Sequence, residues 1–254
     1  VTTESDLSLQ GGESFAAYGT GTQKRFIEVS AESSADSKWG FTLTSQSGVV
    51  CTFFFTSSGL VLSEEGSETL LRTYTAGSGG QTYALAADGG MAYVFLNDQL
   101  LYPYENEACA AASLGIVNGG SGAVSFSSVR YSGAERYADE IIAQAGEASL
   151  SVQGEGVSAS QFGKAVAADA KIYPENEVTV SVQVPQDRIL AEISLTNGGR
   201  KVNLTEISET EWSFLPRAGG AYVLTVRYES LPTLVLKPEI ASVTVGGKSY
   251  ALYE

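Results

Sequence analysis

The stretch that decides the fold is residues 39–55, WGFTLTSQSGVVCTFFF. It contains two apolar faces with the two-residue period of a half-buried β-strand: Trp39, Phe41 and Leu43, then Val49, Cys51, Phe53 and Phe55. Because these side chains are large and repeat on one face, we expect Trp39 and the Phe53–Phe55 run to lie in a hydrophobic core.

The same pattern extends outward from this stretch, from Arg25 to Tyr131. Short apolar runs alternate with turn sequences such as Asp88-Gly89-Gly90, and the two-residue gap Asn97-Asp98 suits a tight hairpin. Many short strands joined by Gly-rich turns predict an antiparallel sandwich or barrel.

One segment has the period of a helix instead. From Ala134 to Gly146 the apolar residues recur at spacings of three and one, with charged residues on the opposite side. Ser132 and Glu135 fit a capping box, and Gly146 fits the position after the helix. We expect an amphipathic helix over residues 134–146 that packs between two domains.

The strand pattern returns from Ala148 to the end of the chain. Alternating apolar residues mark strands over 178–184, 189–195 and 222–228, and Gly246-Gly247 precedes a last strand ending near Tyr253. Roughly 105 residues in seven to nine strands is the size of an immunoglobulin-like sandwich.

Composition excludes several classes of function. The net charge of −14, with 15 scattered Lys and Arg, argues against binding to nucleic acid or anionic lipid. The chain has no histidine, which removes Ser-His-Asp and Cys-His catalysis and most zinc sites. Because no apolar run reaches the ~18 residues of a transmembrane helix, we expect no membrane insertion by this segment.

Composition also indicates where the protein works. Low lysine and abundant Ser, Thr, Gly and Tyr favour an exported protein, extracellular or at a cell surface. The chain begins at Val1 and not at Met, so we expect a processed or trimmed product whose signal peptide or anchor lies outside it. In such a compartment Cys51 and Cys109 could form a disulfide. The alternative is two separate buried thiols that behave as small hydrophobic groups.

The first domain resembles the concanavalin A-like jelly roll, in its laminin-G-like branch found in bacterial surface proteins and glycosidase accessory modules. The resemblance covers about residues 12–132 and rests on six segments in order along the chain: Phe26–Val29, Lys38–Leu43, Gln81–Leu85, Tyr93–Asp98, Ser113–Val117 and Val124–Tyr131. The second domain is similar to bacterial immunoglobulin-like modules, through Trp212–Pro216 followed by Ala218–Tyr222. This second resemblance implies a corner contact by Tyr222.

We therefore predict an all-β fold: an N-terminal concanavalin A-like jelly-roll sandwich (1–132), a linking helix (133–147) and a C-terminal Ig-like β-sandwich (148–254). Catalytic relatives of the jelly roll carry alternating acidic residues on one strand, and this pattern is missing here. Glu64, Glu65 and Glu68 lie in a predicted turn, where they do not form an opposed acid and base.

The best candidate for ligand binding is a predicted loop at residues 102–107. Its rings and polar groups suit sugars, which bind by stacking and hydrogen bonding, and the candidate set is Asp98, Tyr102, Tyr104, Glu105 and Asn106. The alternative is that these tyrosines cover the edge of the sandwich. A similar string, Tyr173–Glu177, occurs in the second domain, so both strings could be turn chemistry.

The function that these features favour is a non-catalytic, extracellular binding protein for carbohydrate or for another surface protein, with the second domain as a spacer. Two alternatives stay open: a purely structural stalk, and a glycosidase that uses carboxylates alone. We expect no catalytic residues, no metal and no cofactor. The residues around Asp88 and Asp98 do not have the ligand spacing of a calcium-binding motif.

Overall fold

A computed structural model describes residues 1–18, 23–32, 37–74, 80–231 and 242–251. Strands dominate these ranges, which contain a single α-helix. The prediction of an all-β sandwich protein is confirmed. None of the helices in the described part of the chain is long and apolar enough to cross a membrane.

The N-terminal sandwich is built from the thirteen described strands that precede the α-helix. In chain order they are β1 (Thr2–Glu4), β2 (Leu7–Leu9), β3 (Ser14–Tyr18), β4 (Lys24–Glu32), β5 (Trp39–Ser45), β6 (Gly48–Thr56), β7 (Gly59–Glu64), β8 (Ser67–Arg72), β9 (Gly80–Asp88), β10 (Met91–Leu96), β11 (Gln99–Glu105), β12 (Ser113–Asn118) and β13 (Val124–Ser132). A 3₁₀-helix, Glu107–Ala111, lies between β11 and β12.

These strands form two antiparallel sheets. One has the order β1-β13-β4-β9-β10-β11, with β2 also paired to β13, and the other has the order β3-β12-β5-β6-β7-β8. The main core lies between them and contains Trp39 and the inward residues Phe53 and Phe55, as the alternation predicts. Phe54 points the other way and is half-buried, with the Lys38 ammonium 4.7 Å from its ring centre.

Part of the seven-stranded sheet is buried on both faces. Ala92, Val94 and Leu96 of β10 enter the main core, whereas Phe95 belongs to a second cluster on the outer face. That outer cluster receives the α-helix, α1 (Glu135–Ala143), through Ala138 and Ile141, with Ala145 just beyond it. The helix packs on this face against β4 and β9, and its predicted position between two domains stays a prediction.

The predicted capping box at the start of α1 is wrong. Ala134 occupies the cap position, and no side chain caps the helix. The Ser132 hydroxyl instead accepts a hydrogen bond from the Ala134 N–H at 2.9 Å, because β13 runs on to Ser132 and the helix starts only at Glu135. At the other end, Gly146 has φ +64°, the left-handed conformation that glycine adopts most easily.

The C-terminal sandwich follows the helix and contains ten described strands, more than the sequence predicts. They are β14 (Ala148–Gln153), β15 (Val157–Gln161), β16 (Lys164–Val166), β17 (Ala170–Ile172), β18 (Val178–Val182), β19 (Arg188–Asn197), β20 (Arg200–Val202), β21 (Thr205–Ser208), β22 (Glu211–Phe214) and β23 (Ala221–Ser230). They form two five-stranded sheets, β17-β14-β23-β19-β20 and β16-β15-β18-β22-β21.

The pairing within this second sandwich is antiparallel except between β14 and β23, which run parallel. Its core includes Trp212, Leu195 and Leu224. The corner contact expected of Tyr222 is confirmed, since its hydroxyl accepts a hydrogen bond from the Arg217 N–H at 2.8 Å.

A separate hairpin follows near the end of the chain. It consists of β24 (Ser242–Val245) and β25 (Lys248–Ala251), joined by the predicted Gly246-Gly247 turn. The predicted end of the last strand, near Tyr253, lies outside the described residues.

Candidate functional site

The predicted ligand loop is not a loop. Residues 99–105 form strand β11, which pairs with β10 from Leu96↔Gln99 to Met91↔Glu105. This pairing turns the Tyr102 and Tyr104 side chains into the core, where they are 7% and 6% exposed. Neither ring offers an open face for stacking on a sugar, so this part of the prediction is wrong.

Tyr104 and Asn106 are tied into the scaffold. The Tyr104 ring packs edge-on against Phe53 with ring centres 5.3 Å apart, and its hydroxyl donates to the Glu64 carboxylate at 2.5 Å. Asn106 donates to the Tyr104 hydroxyl at 2.9 Å and accepts from the Ala108 N–H, which caps the 3₁₀-helix. Burial, more than the nearby carboxylate, raises the pKa of Tyr104.

Asp98 lies apart from the other predicted ligands. It occupies the tight Asn97-Asp98 turn, with φ +48° and +65°, so the predicted hairpin is confirmed. Strand β11 separates this turn from Asn106, a span of about 20 Å at the ordinary rise of a strand. The predicted residues therefore do not converge on one site.

Of the three glutamates predicted to lie in a turn, only Glu65 does, because Glu64 ends β7 and Glu68 lies on β8. Glu65 has φ +51° in the connection between β7 and β8. Glu64 accepts the Tyr104 hydrogen bond, and Glu68 pairs with Lys38 at 2.5 Å. No group of three His, Cys, Asp or Glu able to hold a metal ion occurs among the residues that the structure describes.

The two cysteines lie side by side. Both are free thiols with no exposed surface, and their side chains are neighbours. This contact raises the pKa of Cys51 and lowers that of Cys109. Arg25 anchors the same region, because its buried guanidinium donates to the carbonyl oxygens of Cys109 and Ala110. The covalent bond between the thiols stays a prediction.

A groove opens on the opposite face of β11. Pro103 and Glu105 alternate with the buried tyrosines and point outward, where they meet residues of the C-terminal sandwich. The cavity there measures about 210 Å³, and its lining includes Met91, Pro103, Glu105, Phe162, Lys164 and Tyr173. Glu105 is thus a predicted ligand residue that lines this cavity.

A second cavity of about 470 Å³ adjoins the first along the junction of the two sandwiches. Its lining includes Tyr93, Ile142, Gly146, Glu147, Lys171 and Tyr173. Lys171 and Tyr173 line both cavities, so the two cavities lie side by side with these side chains as their common wall. We call the pair the junction groove.

The tip of the β15–β16 hairpin fixes one side of the junction groove. Phe162 and Gly163 form its two-residue turn, with φ +54° and +71°. A phenylalanine is strained in this conformation, but its ring is held edge-on by Tyr102 at 5.7 Å and Tyr173 at 5.9 Å. Contacts with both sandwiches therefore hold the strained turn in place.

Hydrogen bonds between the sandwiches and within each of them hold the segments beside the groove. Arg72 donates to the Leu100 carbonyl at 3.0 Å and also to the Asn176 side chain. The buried Gln161 donates to the Tyr173 carbonyl at 2.7 Å and accepts from the Tyr173 N–H at 2.9 Å. The string Tyr173–Glu177 is accordingly a rigid connection between β17 and β18, as turn chemistry predicts.

The groove also carries charges and hydroxyls. Lys171 and Glu147 form an exposed ion pair at 2.7 Å. The Lys164 ammonium, 6.0 Å from the centre of the Tyr102 ring, has no carboxylate partner among the described residues. Burial, followed by the charges nearby, raises the pKa of Tyr173 to about 12.

Sequence reasoning missed most of this site. The one available signal was the sequence Gln161-Phe162-Gly163-Lys164, in which a large aromatic residue occupies a tight turn. A ring that would be exposed in an isolated hairpin indicates a contact beyond that hairpin. Tyr173 and Lys171 carry no comparable signal, because only the junction of two sandwiches brings them to β10 and β11.

No protein-family model and no curated protein matches this sequence. Among solved structures, the Caenorhabditis elegans galectin LEC-6 is similar with a TM-score of 0.39 and 18% identity, over 51% of this chain and 95% of the galectin. The CBM40 of the Ruminococcus gnavus IT-sialidase, bound to α2,3-sialyllactose, has a TM-score of 0.38 and 12% identity, over 56% and 97% of the two chains.

An enzyme is also among the similar structures. The Aspergillus kawachii β-fructofuranosidase, complexed with glycerol, has a TM-score of 0.39 and 16% identity, over 54% of this chain and 28% of its own. The similarities are partial in shape and low in identity, so they assign neither a ligand nor a reaction to this chain.

Proposed function

We propose that this protein is an exported, non-catalytic carbohydrate-binding protein and that the junction groove is its binding site. The proposal keeps the concanavalin A-like and Ig-like identities expected of the two sandwiches. It changes the site, because the loop first expected to bind the ligand is largely core.

The observation that carries the proposal is the mixed lining of the groove. Phe162 and Tyr173 supply apolar surface for the C–H face of a sugar ring. The Glu105 carboxylate can accept hydrogen bonds from sugar hydroxyls, and the Lys164 ammonium can donate hydrogen bonds to sugar oxygens. Ligand pockets combine an apolar lining with a few polar groups in this way and favour domain interfaces.

The proposal also gives the C-terminal sandwich a role other than that of a spacer. Phe162, Lys164 and Tyr173 belong to that sandwich, whereas Met91 and Glu105 belong to the N-terminal one. A purely structural stalk has no need for partly buried aromatic rings that line a cleft. We therefore favour a composite binding site over the stalk alternative.

A glycan array followed by calorimetry on the best glycans tests the proposal. We expect saturable binding by the whole protein, weakened about tenfold by Lys164→Ala, since charge-assisted hydrogen bonds contribute roughly 1.5–3 kcal/mol. Lys201→Ala is the matched control, because Lys201 lies on β20 of the same sandwich, outside both cavities. Silence across all glycans, or equal effects of the two substitutions, would sink the proposal.

The same samples distinguish binding from catalysis. Glycans recovered after long incubation should be unchanged in length, because the junction groove is proposed to bind and not to cleave. If shorter products appear and are lost in Glu105→Gln or Glu147→Gln, the carboxylate-only glycosidase is the correct function instead.

A further inference from the structure

The two cavities of the junction groove share a wall that consists of Lys171 and Tyr173. Lys171 lies on β17, and Tyr173 directly follows that strand. The smaller cavity, at about 210 Å³, is below the ~300–1,000 Å³ of pockets that enclose a drug-sized ligand, whereas the second measures about 470 Å³. If a ligand occupied only one cavity, the other cavity would stay filled with water.

The shared wall carries polar groups that suit a ligand passing over it. The Lys171 and Glu147 side chains are 77% and 70% exposed and lie 2.7 Å apart. An exposed ion pair of this kind contributes little to the stability of the fold. The pair can therefore separate, so that the ammonium and the carboxylate each bind ligand hydroxyls. A carboxylate can accept from two adjacent hydroxyls, and an ammonium can donate to a third oxygen.

The backbone beside this pair is fixed. The Glu147 carbonyl accepts a hydrogen bond from the Gly219 N–H at 2.8 Å, and Lys171 pairs with Ser149 in the β14–β17 ladder. The backbone of this ridge is thus fixed, with Lys171 between the cavities, Glu147 and the Tyr93 ring in the second cavity, and Glu105 and Lys164 in the first.

We propose that the junction groove recognises a glycan chain of at least two sugar rings, one in each cavity, with the linkage lying over Tyr173. The Lys171–Glu147 pair binds hydroxyls of the two rings where they meet. This inference rests on the proposed carbohydrate function and narrows it from any sugar to an oligosaccharide. No bond is made or broken in the process.

The prediction concerns how affinity depends on chain length. A single ring fills one cavity, a second ring fills the other and reaches the ridge, and further rings extend beyond both. Affinity should therefore rise by about tenfold or more from monosaccharide to disaccharide or trisaccharide and then level off.

Calorimetry with linear malto-, xylo- and galacturono-oligosaccharides of increasing length, from a single ring upward, tests this on the intact protein. A rise followed by a plateau in the series that binds is the expected result. A monosaccharide that binds as tightly as its oligomers would overturn the chain inference and leave the carbohydrate function standing. Absence of binding in all three series and on the glycan array would overturn both.

Two substitutions make the test specific to the ridge. Lys171→Ala and Glu147→Gln should lower the affinity for the disaccharide or trisaccharide by a larger factor than the affinity for the monosaccharide. Arg136→Ala is the matched control, because it removes an exposed ion pair with Glu140 on the neighbouring helix at 3.0 Å. If the control lowers the chain-length gain as much as the ridge variants do, the ridge has no part in recognition.

Discussion

The two thiols of the N-terminal sandwich are buried next to one another. Cys51 on β6 and Cys109 in the 3₁₀-helix are fully buried and in contact. Oxidation would close a loop of about 60 residues, worth roughly 3–4 kcal/mol in the chain-entropy model. For an exported protein we expect no free thiols when the denatured, unreduced chain is titrated. A count of two would show that the pair is a reduced structural contact.

Tyr173 gives a prediction for alkaline pH. Burial raises its pKa from 10.0 to about 12, so the folded protein favours the neutral phenol. The stability that this adds is complete below pH 10 and is lost as pH rises through about 12. Spectrophotometric titration should therefore lose a late step in Tyr173→Phe. An unchanged late step would mean that Tyr173 ionises like a free tyrosine.

At the scale of single elements, helix α1 carries the sharpest stability prediction. Ile141 is 6% exposed within the outer cluster, so Ile141→Ala should cost about 2–5 kcal/mol of unfolding free energy. Asp139 is exposed and pairs with Lys24 at 2.6 Å, so Asp139→Ala should cost less than about 1 kcal/mol. Urea denaturation compares them, and an Ile141→Ala protein as stable as the parent would refute the packing.

Elements with local signals were predictable from sequence. The Asn97-Asp98 turn and the alternation around Trp39 are short-range patterns, and the structure places both as expected except at Val49. Val49 is 67% exposed because a bulge shifts the register between Leu43 and Thr44. The same alternation misled at β19, where a bulge between Leu190 and Glu192 leaves Ile189 43% exposed. A bulge changes which side chains face the core, and the local sequence does not predict where the bulge occurs.

The predicted ligand loop failed for a related reason. Tyr102-Pro103-Tyr104 resembles a turn sequence because proline is rare in the interior strands of a sheet. However, β11 is an edge strand of its sheet, where proline is tolerated. The position of a strand within a sheet is a property of the topology. For that reason Glu105 was predicted from the sequence as a site residue, whereas the side of the junction groove that the C-terminal sandwich forms could not be predicted.

At the scale of the whole molecule, the hairpin tip at Phe162 joins the two sandwiches. Phe162→Ala removes ring contacts with Tyr102 and Tyr173, and we expect a loss of roughly 1–3 kcal/mol and faster proteolysis at the junction. Phe162→Tyr, which keeps the ring, is the control. If both variants resist protease like the parent, the hairpin tip does not hold the junction together.

The central claim is that glycans bind in the groove between the sandwiches, and the chain's single methionine tests it directly. Met91 lines the first cavity, so selective ¹³C labelling of methionine methyl groups yields one NMR signal inside the site. Titration with a glycan that binds by calorimetry should shift this signal and saturate at the same affinity. A glycan that binds while the Met91 signal stays still would place the binding site elsewhere and contradict the account.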